Sequence, residues 1–228
     1  MSVSLIINCF NRQEQLSHGL NSILSKPTKP DQIIIVDDGS TDGTEFTVLS
    51  FKENYPDIDW QYIYIPYKEK KTSSNISCRG KNIGIRAATG SVLVFSDPEI
   101  IHVEDTLEIL LKHLESNLYS IPIATQIWTM GERIYKKLSQ DNFDRPITII
   151  QHPYAQLTNA EHPDNTNAPD SDFAITGSNN CFAGCFFACL KKDMVNVRGF
   201  DEQLTGHGWE DWDMFHRLEA YGKSLAYI

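Results

Sequence analysis

The sequence predicts an α/β fold, a mostly parallel central sheet with helices on both faces. Three observations carry that expectation. Short apolar runs that read as strands alternate with helix-spaced segments through the first half of the chain. Two of those runs end abruptly on acids, IIIVDD at Asp37 and Asp38, and VLVFSDPE at Asp97 and Glu99. No internal repeat and no sharp break in composition divides the 228 residues, so one domain over 1–228 is expected.

The elements follow in order. Val3 to Ile7 reads as a short buried strand. Gln13 to Ser25 carries Leu16, Leu20, Ile23 and Leu24 at helical spacing, and Lys26-Pro27-Thr28-Lys29-Pro30 breaks it. Gln32 to Val36 is a second strand, Thr44 to Asn54 a helix, and Trp60 to Ile65 a third strand. Gly80 to Ala88 reads as a helix ended by Gly90, Ser91 to Phe95 as a fourth strand, and Val103 to Leu114 as an amphipathic helix. The second half is less regular. Gln151 to Asp172, rich in Asn, Asp, Pro and His, reads as a long polar loop, a kind of loop that is usually functional or mobile. Cys181 to Leu190 is strand-like and apolar, and a helix is expected near Lys191 to Val197. GFDEQLTGHGWEDWDMFHRLEAYG, from Gly199, leads into a last helix with Trp212, Phe215, Leu218 and Tyr221 on its apolar side, and then comes the strand pattern SLAYI.

Composition excludes several roles. Hydrophobic residues make up 41% and charged residues 22%, as in an ordinary globular protein. A net charge of −10 argues against nucleic acid as a partner, because that affinity comes from basic patches. No run approaches the roughly 18 apolar residues of a membrane span, so membrane contact is expected to be peripheral at most. MSVSLIINCFNR lacks the basic start of a signal peptide, and five cysteines cannot all pair, so reduced thiols and a cytoplasmic location are expected. Cys181, Cys185 and Cys189 read as buried thiols rather than a metal site. His152, His162 and His207 read as loop histidines.

The acids at the strand ends are the informative feature. In open parallel sheets ligands bind beyond the carboxyl ends of the strands, so both acid clusters are expected on one rim. For Asp37 and Asp38 turn chemistry and helix capping compete with a binding role. A calcium loop starting at Asp38 fails, because its twelfth position is Leu49. Asp97-Pro98-Glu99 places two carboxylates around one residue. Both can face one hard cation, Mg²⁺ or Mn²⁺, although a solvated acidic turn has the same composition.

VSLIINCFNR, IIIVDDGSTDGT and RGKNIGIRAATGSVLVFSDPE, in that order over about the first 100 residues, resemble the nucleotide-sugar half of family 2 glycosyltransferases of the GT-A fold. From Gly199 onward, GFDE and GWEDWD resemble the matching segment of galactosyltransferase and chondroitin-polymerase-type enzymes. The resemblance implies a nucleotide-sugar half over 1–100 and an acceptor half over 101–228, with a UDP-sugar donor and a glycan acceptor.

It also implies residue roles. Asp38 reads the uracil, and Asn8 stands beside the base. Arg79, ahead of Asn82-Ile83-Gly84, grips the diphosphate. Asp97 and Glu99 occupy the metal-binding D-x-D with Glu in its last place, so Mn²⁺ or Mg²⁺ is implied. Asp211 is the base of an inverting transfer, Glu210 holds the acceptor, and Trp209 and Trp212 stack on its sugar. Helix capping for the two acids and core packing for the two tryptophans are the structural alternatives. The family's metal-ligating His after the last strand has no counterpart before Ile228, so a longer natural chain, or another His, is expected. A sugar-1-phosphate nucleotidyltransferase would need a Gly-rich loop where INCFNR stands. A nucleotide-sugar-binding module of weak activity remains the other alternative.

Overall fold

In a computed structural model the described residues are 1–66, 73–102, 104–123, 128–130, 173–175, 184–204 and 209–227. The polar loop over 151–172, Cys181, His152, His162 and His207 lie outside them. The strands are β1 (Val3–Cys9), β2 (Gln32–Asp37), β3 (Asp59–Tyr64), β4 (Val92–Ser96), β5 (Ser120–Ile123), β6 (Trp128–Met130), β7 (Phe173–Ile175), β8 (Phe186–Leu190) and β9 (Ser224–Tyr227). The helices are α1 (Gln13–Leu24), α2 (Thr44–Asn54), α3 (Ser73–Ala87), α4 (Thr106–Ser116), α5 (Lys191–Asn196) and α6 (Trp209–Ala220).

Seven strands form one sheet in the order β3-β2-β1-β4-β8-β5-β9, and β6 pairs with β7 apart from it. β3, β2, β1 and β4 run parallel. β8 runs against both of its neighbours, and β9 is parallel to β5. The fold is therefore α/β with a mostly parallel mixed sheet, as expected.

Alternation along the strands divides the core into two layers. Leu5, Ile7, Ile33, Ile35, Val92 and Val94 face α1, α2 and α4, packing on Leu16, Leu20, Val48, Leu107 and Leu110. Ile6, Ile34, Val36, Leu93, Phe95 and Phe187 face the other way, onto Ile85, Met194, Phe215 and Leu218 of α3, α5 and α6. Buried on both faces, these strands are continuous apolar runs rather than alternating ones.

Several boundaries differ from the sequence reading. α3 begins at Ser73, ahead of Gly80. α4 begins at Thr106 rather than Val103, because Asp105 caps it by accepting from the Glu108 amide at 3.2 Å. β5 lies in a stretch to which the sequence reading assigns no element; among the described residues its ladder to β8 consists of one pair, Ile123 with Phe187. On α6 the buried face is Glu210, Met214, Phe215 and Leu218. Trp212 and Tyr221, expected on the apolar side, are 44% and 49% exposed.

α3 lies close on β1 because Gly84 has no side chain. A Cβ there would stand 2.4 Å from Cγ2 of Ile6, a β-branched core residue. Gly84→Ala raises intrinsic helix propensity, yet we expect it to destabilise the protein by about 1–3 kcal/mol through overpacking. The measurement is the urea midpoint; an unchanged or higher midpoint refutes the close-packing account.

Candidate active site

At the end of β2 the two aspartates have different tasks. Asp37 is fully buried. Its Oδ1 accepts from the amides of Gly39 at 3.1 Å and Ser40 at 2.7 Å, and its Oδ2 accepts from the Tyr62 hydroxyl at 2.6 Å. Asp37 thus folds the turn. The loop before α1 clasps that turn from the other side. The Asn11 amide donates to Ser40 Oγ at 2.8 Å, and Asn11 Oδ1 accepts from the Thr41 amide at 2.8 Å. Gln13 Oε1 accepts from the Gly43 amide at 3.0 Å. Asp38, the next residue, is 5% exposed, and its amide donates to the Cys9 carbonyl at the end of β1 at 2.9 Å. Asn8 lies on the same strand end, against α3, where a Cβ on Gly80 would stand 1.7 Å from its Oδ1.

Two strands over, β4 ends on Asp97-Pro98-Glu99. The Asp97 amide donates to the Cys185 carbonyl at 2.8 Å, which fixes the turn to the start of β8. Asp97 is half-buried and Glu99 exposed. Burial pushes the Asp97 carboxyl up to about 6; Glu99 and Asp211 push the same way, while Lys81 and the Cys185 thiol oppose the rise. The Cys185 thiol is a hydrogen-bond partner of Asp97, and burial with that carboxylate holds the thiol well above its ordinary range. Cys9, Cys78 and Cys189 are buried free thiols, and Cys185 is a half-buried one.

α3 and α6 complete the cluster. Lys81, 7% exposed, places Nζ 3.1 Å from Asp211 Oδ1 and 4.9 Å from the centre of the Phe200 ring. Burial works against its charge, yet Asp211, Asp97 and Glu210 together raise its pKa above the ordinary value. The Asp211 carboxylate rests on Gly184, where a Cβ would stand 2.1 Å from Oδ2; any side chain at 184 would displace it. Glu210 is 5% exposed, and its Oε2 is buried with no hydrogen-bond partner among the described residues.

Asn82 faces elsewhere. Its amide donates to the Phe200 carbonyl at 2.8 Å and to Glu202 at 2.9 Å, and its Oδ1 accepts from the Phe200 amide at 2.8 Å. Arg79 is half-buried and shares a helix stripe with Asn82 and Arg86, nearly opposite Lys81. Trp209 and Trp212 are 67% and 44% exposed. Trp212 lies against His216, with ring centres 5.8 Å apart, so core packing does not account for either tryptophan.

Asp97, Asp211 and Glu210 therefore meet around Lys81, with Glu99 beside Asp97, while Asp38 and Asn8 stand on the neighbouring strand ends of the same rim. Lys81, Cys185 and Gly184 were not expected. Lys81 lies within the RGKNIG motif, one residue from Asn82, and helical spacing separates it from Arg79. The part played by Gly184 and Cys185 follows from the antiparallel course of β8, which brings that strand's beginning to the rim.

As a cation site, Asp97 and Glu99 supply hard oxygens at one turn. Among the described residues no group of three His, Cys, Asp or Glu side chains could hold a metal. A pair of carboxylates completed by phosphate oxygens and water is nevertheless a common way to hold Mg²⁺, and a cation would offset the burial, and the lesser repulsion from Glu99, that push the Asp97 carboxyl up. The residues fit such an ion.

The family model described as Glycosyl transferase family 2 matches residues 4–191, and that described as N-terminal domain of galactosyltransferase matches residues 169–227. A glycosyltransferase of Bacillus subtilis, YfnE, is 23% identical over 97% of this chain and 61% of its own length. The chondroitin synthase of Escherichia coli is 25% identical over 96% of this chain and 32% of its own length. The chain thus spans less than two thirds of these relatives. Among solved structures, the mannosyltransferase PcManGT of Pyrobaculum calidifontis, in complex with GDP-Man and Mn²⁺, superposes with a TM-score of 0.65 at 16% identity. It covers 99% of this chain and 54% of its own. S. aureus TarS with UDP-GlcNAc gives 0.62 at 14% identity over 100% and 56%. These structures share the GT-A architecture. By fold and by the family match over most of its length, this chain belongs to glycosyltransferase family 2.

Proposed function

We propose that this chain is a metal-dependent, inverting glycosyltransferase. It moves a hexose or N-acetylhexosamine from a UDP-sugar to a glycan hydroxyl, in the assembly of a polysaccharide or glycoconjugate. The observation that carries the reading is the meeting of Asp97 and Asp211 around Lys81, at the rim where Asp38 leaves β2. One half of the chain brings the donor-side acids and the other half the candidate base. The solved relatives hold nucleotide-sugars, GDP-Man with Mn²⁺ in one and UDP-GlcNAc in another. The assignment of UDP here rests on Asp38 and its turn. No helix of the described residues is long and apolar enough to cross a membrane.

The chemistry follows from the side chains. Asp38 and Asn8 bind the base, and the turn clasped by Asn11 and Gln13 bears the nucleotide. Arg79 remains in the proposal as a diphosphate ligand and Asn82 as its neighbour, although Asn82 directs its side chain to Phe200. Asp97 and Glu99 would hold the cation, which when bound neutralises negative charge on the departing UDP. Asp211 takes the proton of the acceptor hydroxyl as that oxygen bonds to the anomeric carbon. The bond from that carbon to UDP breaks on the opposite face, so the configuration inverts. Glu210 orients the acceptor, and the exposed rings of Trp209 and Trp212 offer it an apolar face.

Three outcomes are expected. Asp97→Ala and Glu99→Ala each abolish Mn²⁺-dependent binding of UDP in calorimetric titration; binding that survives both refutes the metal assignment. Asp211→Asn retains UDP binding and loses transfer by about 10²-fold or more; transfer at the unaltered rate refutes the base. Asp97 also links function to stability. Its carboxyl titrates near 3.8 in an unfolded chain and near 6 when folded, so the native state binds the proton more tightly. Its contribution to stability falls as pH rises from about 4 to about 6. In chelator, Asp97→Asn should therefore raise the unfolding temperature at about pH 7 and lose that advantage near pH 4. A destabilised variant at neutral pH overturns this expectation.

A further inference from the structure

Lys81 is a buried cation to which the chemistry above gives no task. It stands among Asp211, Asp97 and Glu210, yet its hydrogen bond is to Asp211 alone of the three. An ammonium has three protons to donate, on a stem of four carbons that can swing. The Phe200 ring beneath it is a face over which a cation can shift while keeping a favourable contact. The strand end nearby carries Asp97 and Glu99, and the proposed donor would add a diphosphate there.

Resting on the donor-site reading above, we infer that Lys81 is a shared cation. In the donor-free protein it pairs with Asp211; when a nucleoside diphosphate binds it turns to the phosphate oxygens and releases the Asp211 carboxylate to the acceptor hydroxyl. The consequence is order. While the ammonium occupies Asp211 Oδ1 at 3.1 Å, that oxygen is not open to an acceptor hydroxyl. Vacated when the donor binds, it can receive the hydroxyl at the moment a sugar is present to be transferred. Glu210, in the same cluster, has a buried Oε2 with no hydrogen-bond partner among the described residues, so the described part of the cluster is not a fully satisfied network.

A fixed structural ion pair and a shared cation differ in how Asp211 affects nucleotide affinity. If Lys81 must leave Asp211 to reach the diphosphate, removing the Asp211 charge favours the nucleotide. UDP and uridine, each with Mn²⁺, are titrated calorimetrically into the unaltered chain, Asp211→Asn, Glu210→Gln, Lys81→Gln and the Asp211→Asn/Lys81→Gln double variant. Asp211→Asn is expected to tighten UDP by about fivefold or more and to leave uridine unchanged. Lys81→Gln weakens UDP, and in its background Asp211→Asn gives no gain. Glu210→Gln removes the same unit of charge without freeing the Lys81 hydrogen bond, and gives a clearly smaller gain. If Lys81→Gln does not fold, the contrast between Asp211→Asn and Glu210→Gln still decides. UDP affinity unchanged or weakened by Asp211→Asn, or an equal gain from Glu210→Gln, overturns the shared cation and leaves the donor site standing. Failure of the unaltered chain to bind either UDP or uridine overturns the donor site itself, and the inference with it.

Discussion

The hydrogen-bond register of the parallel strands is the constraint on which everything at the rim depends. Asn8 stands opposite Val36 and Cys9 opposite Asp37, while Ile6 stands opposite Phe95. Three strand ends therefore leave the sheet side by side, and the acids of β2 and β4 arrive on one rim although about 60 positions separate Asp38 from Asp97 in the chain. The register is held by burial on both faces. A slip of one residue would turn Ile6 and Ile34 into the layer of Leu5 and Ile33, exchanging two differently shaped cores. The precision of the site is thus inherited from aliphatic packing well below it.

That precision gathers like charges, and the acids are reconciled with burial in different ways. Asp37 is satisfied within its own turn by two amides and a phenol, so it is a structural acid in a functional motif. Asp97 has a thiol and a neighbouring amine, and the rise in its pKa is the measure of what they leave uncompensated. Asp211 has the amine directly, over a bare stretch of backbone at Gly184. Such arrangements strain a fold and are concentrated where proteins do chemistry.

Much of the fold was legible because the strands are long apolar runs and the breaks between them carry Pro, Gly and Asp. IIIVDD and VLVFSDPE fixed two strand ends, and helical spacing fixed α1. The reading fell short at β5, four residues that include Pro122 and give no clear strand signal, and at α6, whose most conspicuous aromatic, Trp212, faces outward while Met214 is buried. At the site, the acids could be named from motifs, but their partners could not. Nothing in RGKNIG says that its lysine meets an aspartate 130 positions later, since that contact depends on how α3 and α6 pack on the sheet. Nor does CFAGCFFACL announce that its glycine supports one carboxylate and its second thiol binds another.

The antiparallel strand β8 bears on how the molecule comes into being. Ser96 pairs with Phe186 and Val92 with Leu190, contacts far apart in the chain that cannot form until a long intervening stretch has been made. Closing so large a loop is slow, and pairings of this kind set the pace of folding. During synthesis β1, β2, β3 and β4 can assemble while one side of β4 still lacks its neighbour, an open edge of Val92, Leu93, Val94 and Phe95 able to capture another chain. The strand that finishes the rim also closes that edge, so the act that completes the chemistry is the one that ends the nascent chain's exposure to aggregation.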